Sequence, residues 1–254
     1  MNCIAHYKMN DNEANTTVVD SIGTSNGTSQ QNTSVLHTSG KINGALSFNG
    51  VTDYIDTNST FESVFQNDFS ISVWIKPKAY NPDAFHFKDI IGAVVEGLGG
   101  NTFRVSHELA PDERTWLVFY YTASFYTVNF EWETTFIGPN IWFHVVVTIA
   151  QIDEENVVAN IYINADLVIS TGTTPCVLST YSQNSKTMWI GNSNGDNDYS
   201  FDGEIDNLML FNDALTQDNV DFLYNNGNGT ENLTSSSIQP MKYYYDLQKK
   251  RSED

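Results

Sequence analysis

Apolar and polar residues alternate with a period of two along most of the chain. In FSISVWIKP (69–77), Phe69, Ile71, Val73 and Ile75 interleave with Ser70, Ser72, Trp74 and Lys76, the mark of a strand with one face in a core. The same alternation runs through CIAHYKM (3–9), GALSFNG (44–50), DYIDT (53–57), TFRVSHEL (102–109), TWLVFYYTA (115–123) and YTVNFEWETT (126–135). It continues in WFHVVVTIA (142–150), VVANIYINADLVIST (157–171), TMWIGNS (187–193) and EIDNLMLFN (204–212). Clusters such as GTSNGTSQQNTS, GLGGN and SNGDND separate these runs and supply residues that tolerate positive φ. IYINADLVIS predicts a hairpin with Asn164, Ala165 and Asp166 at its tip. One stretch, LTQDNVDFLYNNG (215–227), reads as a short helix with Asn and Gly as stop signals, expected to cover a sheet edge.

Roughly a dozen strands at this spacing predict an all-β, two-sheet antiparallel jelly-roll sandwich with one short C-terminal helix. With no second core and no internal repeat visible, a single domain is expected over 1–229. Residues 230–254 differ in character: a Thr/Ser-rich linker, Pro240, three tyrosines, then Lys249, Lys250 and Arg251. That tail is either a frayed terminus or a docking peptide in which Met241, Tyr243, Tyr244, Tyr245 and Leu247 bury against a partner.

Composition narrows the partners. The 254 residues carry 31 acidic and 12 basic side chains, a net charge of −19. A field of that sign repels nucleic acid and anionic lipid, and no apolar run approaches the ~20 residues of a membrane span. Two cysteines, Cys3 and Cys176, allow one disulfide or two isolated thiols and build no framework. The opening MNCIAHYKMND lacks the layout of a secretory signal.

The order of GALSFNGVTDYIDT, FSISVWIKP, WFHVVVTIA, IYINADLVIS and MWIGNSNGDNDYSFDGEIDNLMLFNDALT resembles the laminin-G-like, concanavalin A-like jelly-roll domains, over residues 3 to about 227. The resemblance implies the same sandwich. It also implies a structural calcium site between the early loop TTVVDSIGTSNGT (16–28) and the GEID strand, with Asp20, Asn26 and Asp206 as ligands. Calcium takes six to eight oxygens, and a Gly- and Asn-rich turn can present carbonyls beside two carboxylates. Strand alternation separately sets Asp206 on the face of Leu208 and Leu210, where a carboxylate needs a cation or a hydrogen-bond donor.

Retaining glucanases of the same superfamily carry Glu-x-Asp-x-x-Glu on this strand. Glu204 and Asp206 match its start, but Leu208 and Met209 stand where the second glutamate is needed, so no catalysis is expected. The resemblance then implies binding through aromatic stacking and Asn/Asp contacts to hydroxyls. The aromatic candidates are Trp74, Trp116, Tyr120, Tyr126, Trp132 and Tyr199, with loop residues Asp196, Asp198 and Tyr199 foremost. The expected role is a non-catalytic, calcium-stabilised, lectin-like adhesion module binding cell-surface glycan or glycoprotein. The alternative is a structural virion-surface or fibre-associated protein held to capsid or fibre proteins by its tail; a glycoside hydrolase stands third.

Overall fold

The computed structural model describes residues 1–78, 87–94, 102–109, 115–123, 126–134, 139–182, 185–193 and 199–233. Among these, two antiparallel sheets face one another. The first has nine strands, with Asp166–Ser170, Asn156–Ile163, Phe143–Gln151, Phe69–Pro77, Asp202–Phe211, Gly44–Asn49 and His37–Ser39 in spatial order. Cys3–Tyr7 also pairs with Asp202–Phe211, and Thr174–Pro175 with Asn156–Ile163. The second has eight, in the order Tyr126–Thr134, Thr115–Ala123, Thr102–Leu109, Phe87–Val94, Trp189–Ile190, Ile55–Asp56, Gly27–Ser29 and Thr17–Val18.

The period-two pattern fills the space between the sheets. Phe69, Ile71, Val73 and Ile75 meet Val145, Val147 and Ile149 from one sheet, and Leu117, Phe119 and Tyr121 from the other, in one buried cluster. Each such side chain contributes roughly 1.5–3 kcal/mol when fully buried. Alternation does not predict strand Phe87–Val94, because in FKDIIGAV two adjacent charges are followed by the unbroken apolar stretch IIGAV; the strand lies in the middle of its sheet.

The helix forms at Gln217–Tyr224, opened by a capping box between Thr216 and Asn219 and closed by Asn225 at φ +49°. It covers a sheet face, not the expected edge. Leu215, Val220 and Leu223 pack on Val146, Tyr162, Met209 and Phe211, which point outward from the nine-stranded sheet. The 163–166 hairpin turns on Asn164 and Ala165, at φ +51° and +73°, and Asp166 is already paired with Ile163.

The body continues past the expected boundary at 229. Thr230 O accepts from Asn207 Nδ2 (2.9 Å), Glu231 accepts from Asn10 Nδ2 (2.8 Å), and Leu233 packs against the outer apolar cluster. The tail residues Met241, Tyr243, Tyr244, Tyr245 and Leu247 lie outside the described residues.

Cys3 and Cys176 are free thiols, and burial pushes them up to about 12 and about 11. Since the thiolate is the reacting form, native protein at pH 8 is expected to be nearly inert to a disulfide reagent. Both thiols should titrate at once in denaturant; fast reaction of native protein would contradict the placement.

Candidate functional site

Ile55 and Ile190 point into the core, so alternation sends their neighbours Tyr54, Asp56 and Trp189 to the outer face of the eight-stranded sheet. There the Tyr54 and Trp189 rings lie parallel, with centroids 4.0 Å apart and planes 4° from one another. Both are half-buried. Trp189 is in register with Asp56 on one side and with Gly92, which brings no side chain, on the other. Its Nε1–H donates to Thr187 Oγ1 at 3.1 Å.

A polar fringe borders the rings. Asp56 Oδ1 accepts from Asn58 N (2.8 Å), and Asn58 Nδ2 donates to Asn26 O (2.9 Å) and Thr28 Oγ1 (3.0 Å). Thr28 and Asn58 are exposed. Half-buried Tyr120 stands in the same row, through the pairs Trp189–Gly92, Gly92–Arg104 and Arg104–Tyr120. Aromatic faces beside amide, carboxylate and hydroxyl groups are what a pyranose ring needs for stacking and hydroxyl contacts. DYIDT and TMWIGNS are both strands by alternation, yet the sequence does not mark Tyr54 and Trp189 as a pair. The alternation exposes both residues, but the pairing that brings them together is a non-local fact.

The residues expected to hold calcium are not assembled around a common centre. Asp20 Oδ1 accepts from the backbone N–H groups of His6 (2.9 Å), Ile22 (3.2 Å) and Gly23 (2.9 Å), and Oδ2 from that of Ser25 (3.2 Å). Asn26 Oδ1 accepts from Asp20 N at 2.9 Å. These oxygens already face N–H donors, whose positive ends point where a cation would sit, so Asp20 and Asn26 do not fit calcium. Asp206 shares none of these partners: its Oδ2 accepts from Ile42 N at 2.8 Å, and its Oδ1 has no partner. No group of three or more His, Cys, Asp or Glu among the described residues is placed to hold a metal.

Asp206 also departs from the expected face. The register passes from Asp206–Trp74 to Met209–Ser72 across a bulge at Asn207, φ +51°. One extra residue reverses the alternation, so Asp206 shares the outer face with Met209 and Phe211 while Leu208 and Leu210 enter the core. Burial pushes its carboxyl up to about 7. Glu204, one step along the same face, is held through both oxygens by Lys76 Nζ at 2.9 and 3.1 Å.

Of the foremost loop residues, Asp196 and Asp198 lie outside the described residues, and Tyr199 is half-buried. Trp74 is buried between Lys41 and the stacked rings of His144 and Tyr224, so it offers no surface; the side chains of Trp116, Tyr126 and Trp132 lie outside the described residues. A concavity of about 530 Å³ opens elsewhere, among Gln66, Asn67, Asp68, Asp153, Glu154 and Asp213; no aromatic side chain lines it.

The family model of the concanavalin A-like lectin/glucanases superfamily matches residues 49–221. No curated protein sequence matches the chain significantly. Among solved structures, Trypanosoma rangeli sialidase in complex with sialic acid superposes with a TM-score of 0.58 at 15% identity, over 90% of this chain and 34% of that one. The botulinum neurotoxin type G receptor binding domain gives 0.57 at 19%, over 89% and 51%. The binding domain of paraclostridial mosquitocidal protein 1 gives 0.56 at 18%, over 85% and 52%. At these identities the likeness is one of fold, and the chain spans about a third of the sialidase and about half of each toxin structure.

Proposed function

The chain belongs to the concanavalin A-like lectin/glucanase superfamily, and from that premise we propose that it is a non-catalytic glycan-recognition domain whose binding surface is the Tyr54–Trp189 patch. The observation that carries the reading is the stacked, half-buried pair of rings beside Asp56, Asn58 and Thr28, which leaves a sugar the ring faces turned away from the stack. A sugar's apolar face stacks on such a ring while its hydroxyls exchange hydrogen bonds with amide and carboxylate groups. The receptor-binding and binding domains among the structural neighbours agree in direction with recognition.

The absence of catalysis is part of the proposal. A retaining glycosidase needs two carboxyl groups about 5–5.5 Å apart facing substrate. Here Glu204 is occupied by Lys76, and Asp206 is fully buried.

A glycan array on the full chain should show selective binding, and Trp189→Ala should weaken it about tenfold, the scale of one aromatic stack together with its buried area. Because Trp189 is half-buried, the variant's melting temperature should fall by only a few degrees. A blank array, or a folded variant that binds as tightly as the parent, would remove the patch as the site.

A further inference from the structure

The early loop does a different job from the one its composition suggests. Four backbone N–H groups, from His6, Ile22, Gly23 and Ser25, converge on the Asp20 carboxylate, which is only 6% exposed. Successive N–H groups of a turn form a concavity that suits an anion, and here the chain supplies its own. Gly23 is required beside it, since a Cβ there would collide with Asp20 Oδ2 and with Ile4 O.

The carboxylate links two parts of the molecule. His6 belongs to Cys3–Tyr7, which pairs with Asp202–Phe211 of the nine-stranded sheet. On the other side Asp20 N donates to Asn26 Oδ1, Asn26 O accepts from Asn58 Nδ2, and Asn58 N donates to Asp56 Oδ1 at the edge of the aromatic patch. A cation bridging loop to strand would hold the same segment in place by ligation. Three of the four donors fill Asp20 Oδ1 and the fourth takes one of the two acceptor positions of Oδ2, so this carboxylate has at most one position left for such an ion, which takes six to eight oxygens.

We propose that Asp20 is a positioning residue for the Tyr54–Trp189 patch, fixing the 20–26 loop through backbone N–H groups in place of a metal, so that recognition by this chain is independent of calcium. The proposal deepens the glycan-binding reading and rests on it for the part that concerns ligand.

Calcium titration of the full chain by calorimetry, with melting temperatures in calcium and in EDTA, tests the metal half without any glycan. No heat of binding and identical melts are expected; stoichiometric binding with a higher melting temperature would overturn it. Asp20→Ala and Asp20→Asn test the positioning half. In the alanine variant, backbone amides of Ile22, Gly23, Ser25 and Asn58 should exchange at least tenfold faster. Binding to the best array glycan should weaken about tenfold, with Asn, which keeps one acceptor oxygen, falling between variant and parent. Should Asp20→Ala not fold, the asparagine variant alone decides: parental affinity with faster loop exchange would overturn positioning. A blank array removes the ligand half together with the glycan reading, while the calorimetry still answers for the metal.

Discussion

Asp206→Asn is expected to stabilise the protein at pH 8 and to change little at pH 4. The carboxyl is fully buried behind Ile42, opposite Trp74, with Oδ1 unpartnered and Glu231 adding like charge nearby. Burial, the largest influence, raises it from 3.8 to about 7, against the smaller opposing pull of the backbone N–H bonds. A carboxyl that holds its proton more tightly in the folded chain contributes stability below its unfolded value, and that contribution is lost as pH rises through about 7. At about 1.4 kcal/mol per pH unit, the loss between pH 4 and 8 is on the order of 4 kcal/mol. Asparagine keeps an oxygen for Ile42 N–H and never ionises, so urea melts should show a variant-minus-parent difference that grows with pH and levels off above about 7. A calcium ligand would give the opposite sign, a variant weakened at neutral pH in calcium; a difference constant with pH would contradict the buried-acid account as well.

That same residue shows how far the sequence could be read. Alternation in FSISVWIKP, WFHVVVTIA and EIDNLMLFN gives strands with one core face, and those strands form adjacent members of the nine-stranded sheet. Sandwich, helix and the 163–166 hairpin were all legible, because each rests on local chemistry: period two, a Thr–x–x–Asn cap, Asn at positive φ. The face of Asp206 was not legible, because a single bulge at Asn207 inverts every position after it and nothing in GEIDNLML announces one. Asp20 and Asn26 draw attention as calcium ligands because the resemblance places them in the early loop. Their oxygens turned out to face N–H donors, a distinction composition cannot make. The candidate site needed pairing between residues 55–56 and 189–190, more than a hundred positions apart in the chain.

His144→Phe should act in the opposite pH direction. The ring is buried at 1% exposure in near-parallel stacks with Trp74 and Tyr224, with Nε2 2.7 Å from Ser72 Oγ and Nδ1 unpartnered. Burial lowers it from 6.5 to about 3. A histidine kept neutral in the fold protonates in the unfolded chain first, so stability is full above about 6.5 and lost as pH falls toward 3. The loss at pH 4 is about 3 kcal/mol at 1.4 kcal/mol per pH unit. Phenylalanine retains the stack and cannot titrate, at the cost of about 1 kcal/mol for the Ser72 hydroxyl left without its partner. The variant should therefore be slightly less stable than the parent at pH 7.5 and more stable at pH 4. Between pH 4 and 6.5 the histidine and Asp206 have opposing slopes of similar size, so their sum gives the parent little pH dependence in that range. His6, lowered by the burial of its ring, tilts the balance toward loss in acid. Each substitution should expose the slope its partner conceals: Asp206→Asn a stability falling toward acid, His144→Phe one falling toward alkali. A parallel pair of profiles would show that neither group titrates in the window its burial assigns.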